Sequence, residues 1–187
     1  VSTGALAVFR ELERHYARSA APSPARDKPV MFWVGTHVSI AGVPLLVGAG
    51  ELDEIIETPA VTRIPGTKPW VMGLAAHKGG LLPVFSGDVL FRRQPYSGRP
   101  REYCMVVRKH GLHFALTLSG VHRDLKFPIE QRDMTRDIDV DFAEMCLGGF
   151  SYNEQFLAVL DIDKLVTDSD LGSASATTGE SNEDKNP

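Results

Sequence analysis

The chain has 187 residues, 43% hydrophobic and 24% charged, which suits one good-sized domain or two small ones sharing a core and argues against wholesale disorder. Its formal charge of −4 gives no electrostatic case for nucleic acid, because phosphate binding needs a basic face. No apolar run approaches the roughly 20 residues that span a bilayer, and no signal-peptide pattern opens the chain, so the expectation is a cytoplasmic protein without direct membrane insertion.

In chain order, Leu6, Phe9, Leu12 and Tyr16 recur at spacings of three and four with Arg and Glu between them, which predicts an amphipathic helix within residues 1–20. APSPARDKP, 21–29, has three prolines and no apolar periodicity and reads as a linker. From Met31 the pattern changes to short strands. MFWVGTHVSI and VPLLVGAG flank a hairpin-like break at Ala41-Gly42, while ELDEIIE, 51–57, is ambiguous between strand and helix. Pro69 suits the first position of a short helical turn over WVMGLAA, 70–76, and Pro83 suggests that the following LLPVF is an edge strand or carries a bulge. Further strands are expected at 81–85, 103–108, 112–118, 121–127 and 156–162, with His110-Gly111 as a tight hairpin. Many strands, few helices and no βαβ rhythm predict a mainly β domain over 31–167 made of two packed small barrels, with a short helical turn at 161–166. Residues 168–187 are Ser, Thr, Gly, Asn and acid, and are expected to form a disordered acidic tail.

Groups that could do chemistry are sparse. His110 and His113 flank a glycine turn without HExxH, CxxC or a carboxylate–histidine cluster, so no metal is expected. His77 beside Lys78 lacks an orienting carboxylate nearby in sequence and reads as a surface loop. Cys104 and Cys146 sit in apolar surroundings and are expected to be buried, reduced thiols. Residues 136–144, RDIDVDFAE, have the acid density of a calcium loop but not its central glycine or closing glutamate, and read as a solvated acidic loop. There is no GxSxG, no GxGxxG and no phosphate loop. Neither enzyme nor cofactor is expected.

Against that background, RIPGTKPWVMGLAAHKGGLLPVF, 63–85, spends three prolines and four glycines on shaping backbone. It reads as a connector that builds a protein-docking surface at a strand edge, with Trp70 either displayed there or plugging the barrel. ELDEII followed by this stretch resembles the signature of CheW-like domains, the adaptor modules of bacterial chemosensory arrays. The likeness runs from about Met31 to Val166 and is strongest between Leu52 and Val84. The Pro-Gly-x-Lys-Pro-Trp-Val-x-Gly version, the long N-terminal extension and Leu147-Gly148-Gly149-Phe150 look most like the adaptors of pathways that control type IV pili and twitching motility.

The resemblance implies two five-stranded barrels around a shared apolar core, no catalysis, and a link between the tip of a methyl-accepting chemoreceptor and the regulatory domain of a CheA-type histidine kinase. It implies partner-contact roles for Leu52, Glu54, Val61, Ile64 and Lys78, and Trp70 joins them from the reading of the connector. Lys78 stands where the family usually has arginine, and His77 where it has an apolar residue. Ser86-Gly87 replaces the usual Asp-Leu, with Asp88 displaced, and Ser119 stands where aspartate is common. A flagellar-type coupling protein is the alternative within the family. An oligonucleotide-binding barrel is disfavoured by strands that carry aliphatics rather than aromatics interleaved with Lys and Arg.

Overall fold

Short β-branched and aromatic segments build the body of the protein. The computed structural model describes residues 3–19, 30–92, 101–109, 111–168 and 171. Its strands are β1 (Phe32–Ile40), β2 (Val43–Gly48), β3 (Glu54–Glu57), β4 (Val71–His77), β5 (Gly80–Phe85), β6 (Tyr103–Lys109), β7 (Leu112–Leu118), β8 (Gly120–Pro128), β9 (Cys146–Tyr152) and β10 (Gln155–Leu160). Among the described residues, α1 (Thr3–Ser19), α2 (Gly87–Arg92) and α3 (Ile162–Asp168) are α-helices. The strands form two five-stranded sheets in the orders β8-β1-β2-β10-β9 and β3-β6-β7-β5-β4.

The two sheets repeat one plan. Each has two antiparallel hairpins joined by a parallel pair, β2 with β10 and β5 with β7. Each adds an outer strand, β8 beside β1 and β3 beside β6. A single bridge then covers the far edge, Thr62 with Leu74 on β4 and Asp133 with Gly149 on β9. In the first sheet, Phe127 of edge strand β8 stacks on Phe150 of edge strand β9 at 4.6 Å, which rolls the sheet into a small barrel.

Period-two alternation makes each strand serve two cores. On β2, Leu46 points into the first barrel, with Phe127, Phe150 and Leu157, while Leu45 and Val47 join the shared core. On β6, Cys104 and Val106 fill the second barrel with Ala75, Leu82 and Ala115, while Met105 and Val107 join the shared core. That shared core also takes Phe91 of α2, Phe142, and Ile162 and Leu165 of α3. Because Ala, Cys and Val fill the second barrel where Phe fills the first, the second is the narrower one to pack.

Several expectations are corrected. Residues 71–77 are strand β4, not a helical turn: pairing with β5 and the Thr62 bridge satisfy the backbone that a helix would have satisfied internally. The ambiguous 51–57 segment resolves with Glu54–Glu57 as strand β3. Pro83 sits on an inner strand rather than an edge, and the irregularity in its β4–β5 pairing falls on β4, between Val71 and Gly73. The proline is tolerated because β7 pairs with β5 only at Val84 and Phe85. The acidic loop is not merely solvated, since Arg92 reaches Asp139 and Asp141, each at 2.8 Å. Helix α3 begins where the Asp161 carboxylate accepts the Asp163 N–H at 2.9 Å, an N-cap. Both cysteines are free and buried, and burial pushes the thiols up, Cys104 to about 11 and Cys146 to about 12.

The chain divides into two units, Val1–Val30 and Met31–Pro187. In the first, α1 displays Val8, Phe9 and Leu12 on its surface, and the side chains of Leu6 and Tyr16 lie outside the described set. The linker at 21–29, His110, and the tail at 168–187 apart from Asp168 and Leu171 also lie outside the described residues. Among the described residues no helix is long and apolar enough to cross a membrane, and no group of three or more His, Cys, Asp or Glu could hold a metal ion.

Candidate partner-docking site

Strand β4 organises the candidate residues, with a groove at its start and a charged clasp at its end. The clasp begins with the β4–β5 turn, in which Lys78 and Gly79 both have positive φ, 47° and 77°. A two-residue hairpin turn of this hand matches the twist of its strands, so His77 pairs with Gly80 across it. The turn delivers His77 and Lys78 to Glu54 on β3, at the opposite edge of the same sheet. Glu54 Oε1 lies 2.8 Å from His77 Nε2 and 2.6 Å from Lys78 Nζ. The two edges are thereby tied together, closing the second barrel.

Neighbouring charges extend the clasp. Arg108 Nε donates to Asp53 at 3.0 Å, and its Nη2 lies 3.3 Å from His113 Nε2. The His77 ring lies 6.4 Å from that of His113 and, with its side chain 14% exposed, is no surface loop residue. The Lys78 side chain is 69% exposed, so its ammonium holds Glu54 from the solvent side. Burial and the Arg108 charge hold the His113 imidazole below its ordinary range. Hydrogen bonds from Lys78 and then His77 hold the Glu54 carboxyl below its ordinary value of 4.5.

That depression has a direction in pH. The clasp contributes its stability in full above the unfolded-state value of Glu54 and loses it as pH falls through the lower folded-state value. Wild-type protein is therefore expected to lose urea resistance between about pH 5 and pH 3 more steeply than Glu54→Gln. Superimposable pH profiles for the two proteins would show that the clasp is not linked to folding.

The groove, about 410 Å³, lies at the other end of β4. Val61, Ile64, Val71 and Met72 give it apolar walls, and Arg63 and Lys68 line it as well. Thr62 and Leu74 exchange backbone hydrogen bonds of 2.8 and 2.9 Å, which fixes the outer wall against β4. Trp70 is only 5% exposed and meets Phe85 edge-on at 5.1 Å, so the indole belongs to the shared core. Leu52 also packs partly against that core.

The six candidate residues thus divide. Glu54 and Lys78 touch each other, Val61 and Ile64 line the groove, and Trp70 and Leu52 support from within. Arg63, Lys68 and Met72 also line the groove, and no local sequence pattern marks them for it. The positions that depart from the family pattern have local explanations. Ser86 is buried, and its Oγ accepts the Val89 N–H at 3.3 Å, so it starts α2 as an aspartate could. Ser119 Oγ accepts the Gly42 N–H at 2.9 Å, tying the β1–β2 turn to the β7–β8 connection.

Residues 32–170 match the family described as CheW-like domain. Protein PilI of Pseudomonas aeruginosa is 34% identical over 120 residues, covering 64% of this chain and 67% of that protein. Among solved structures, scaffolding protein TtCheW from Thermoanaerobacter tengcongensis superposes with a TM-score of 0.63 at 14% identity, covering 73% of this chain and 94% of that one. At 14% identity this last likeness concerns the fold alone.

Proposed function

The chain belongs to the CheW-like domain family, and from that premise we propose that it couples methyl-accepting chemoreceptors to the regulatory domain of a CheA-type histidine kinase in a pathway governing type IV pili and twitching motility. Proteins of this family are non-enzymatic scaffolds of chemosensory systems. The pilus assignment is supported by the 34% identity to PilI. In this reading the protein works in the cytoplasm. Its signalling body is 31–167, with the helix of 1–20, the linker of 21–29 and the tail of 168–187 as appendages.

The observation that carries the docking assignment is the arrangement along β4. One strand places an apolar groove with cationic walls at one end and an exposed lysine held by a carboxylate at the other. Receptor helices are assigned to the surface at Leu52, Glu54 and Lys78, with apolar anchors supplying affinity and charge setting partner choice. Val61 and Ile64 extend the apolar contact, and Trp70 acts from beneath by holding the groove's floor.

Titration calorimetry against the kinase regulatory domain of the same organism should show saturable one-to-one binding. In a receptor-tip capture assay, Lys78→Glu should weaken binding roughly tenfold, because a second carboxylate then faces Glu54 and the partner. Its circular dichroism should stay that of the wild type, since the side chain is 69% exposed. Unchanged capture by a folded variant would remove Lys78 from the contact, and absence of kinase binding would defeat the coupling role.

A further inference from the structure

We propose that the mouth of the first barrel is a second binding site, shaped to take an acidic side chain from a partner protein. The proposal goes beyond the coupling role and concerns the other sheet. It starts from the repeated plan of the two sheets, in which hairpin β9–β10 takes the place that β4–β5 has in the second barrel. Both hairpins turn through two residues of positive φ, Lys78 and Gly79 at 47° and 77°, Asn153 and Glu154 at 48° and 65°. The flanking pairs correspond too, His77 with Gly80 and Tyr152 with Gln155.

In the second barrel this corner holds a carboxylate between a histidine and a cation, at 2.8 and 2.6 Å. In the first barrel the histidine and the cation are present on the strands instead. The register of β1 against β8 shifts between Thr36 and Val38, so that His122 and Arg123 together stand opposite His37. A bulge of this kind turns side chains that would otherwise alternate toward one side. The rings of His37 and His122 stack at 4.1 Å, and Ser39 Oγ lies 3.1 Å from His122 Nε2. With Arg123, Tyr152, Asn153 and Gln155, these two histidines line a cleft of about 380 Å³.

Among the described residues, none of those lining that cleft is acidic. Asp124, the next residue of β8, accepts the Thr36 hydroxyl hydrogen bond at 2.7 Å, and Glu154 is exposed at the turn. Among the described residues no ion pair involves Arg123. Burial holds the His37 imidazole below its ordinary range, and the nearby charges of His122 and Arg123 act in the same direction. Basic groups crowded at a concave corner are relieved by an anion, and the described residues supply none to this cleft. The cleft is far larger than one carboxylate needs and is rimmed by amide and phenol groups, which suits a side chain carried on a peptide segment better than a free ion.

The test is an NMR titration of the full chain that follows the His37 and His122 imidazole and Arg123 guanidinium resonances. Hexa-L-glutamate is the probe, with hexa-L-glutamine and inorganic phosphate as comparisons. Saturable shifts at these three residues with hexaglutamate, weakened roughly tenfold by Arg123→Gln and unaffected by Lys78→Glu, are the expected result. The site is overturned if the shifts are absent, if they centre on the Lys78 turn, or if Arg123→Gln leaves them unchanged. Equal binding of hexaglutamine would exclude recognition of charge. Phosphate binding as tightly at the same resonances would replace the peptide with a free anion. None of these outcomes depends on whether the kinase or receptor binds.

Discussion

Trp70→Ala is expected to lower folding stability by about 3–5 kcal/mol, the range for removing a large buried aromatic. The indole is 5% exposed and packs edge-on against Phe85, which in turn lies 5.5 Å from Phe114, so the loss reaches the middle of the shared core. The Trp70 carbonyl also accepts the Ser86 N–H at 2.8 Å, linking the entry of β4 to the start of α2. Urea denaturation should show a lower midpoint, with Trp70→Phe between the two. Partner binding should fall only as far as unfolding accounts for. A variant with wild-type stability that had lost its partner would place the indole in the contact itself.

The second large effect concerns Gly73. Its φ of 146° lies where side chains are rarely accommodated, and a Cβ there would come within 2.2 Å of the Thr62 carbonyl oxygen. Backbone cannot yield as a flexible side chain could. Gly73→Ala should therefore cost about 1–3 kcal/mol from overpacking and about 1–2 kcal/mol from the disfavoured backbone conformation. The Thr62–Leu74 bridge would open first, because it is the contact the methyl group displaces. Amide hydrogen exchange at Leu74 should accelerate more than at Leu82, on the neighbouring strand. Gly50, with a φ of 128° and nothing within 4 Å of an added Cβ, serves as the comparison for conformational strain alone. Equal protection of Leu74 in variant and wild type would mean that the strand edge adapts at no local cost.

Much of the fold was legible because alternation and turn chemistry agree. Ala41 and Gly42 have the positive φ values, 51° and 82°, that a tight hairpin requires, and the strands on either side pair as their pattern implies. Three elements were hidden for physical reasons. Met, Leu and Ala in 71–77 have good helix propensity, and only distant partners make the segment a strand. In β9 two glycines weaken the strand signal, yet Gly149 is needed because a Cβ there would come within 2.2 Å of the Leu157 carbonyl oxygen. Helix α2 is short, and its cue was Ser86 as a cap with Asp88 in the first turn.

For the site, the resemblance pointed to Glu54 and Lys78 separately. Their contact, and the part played by His77, depend on the closure of a barrel between strands at opposite edges of one sheet. Arg63 and Lys68 become part of a groove only because the Thr62 bridge holds their loop against β4. His37 and His122 are distant in sequence, and no local pattern could have announced that a bulge would stack them.

The parallel pair of β2 with β10 also sets an order of events. Leu46 meets Val159, so the first barrel needs both ends of the domain, whereas β3 to β7 of the second are contiguous in the chain. During synthesis the second barrel has all its strands while β8 to β10 are still being made. The entropy of closing the long loop between β2 and β10 is met last, once the intervening segment has already been shortened by its own folding. Until then the exposed edge of β2 has no partner on that side, and the nascent chain is at its most vulnerable to pairing with another copy.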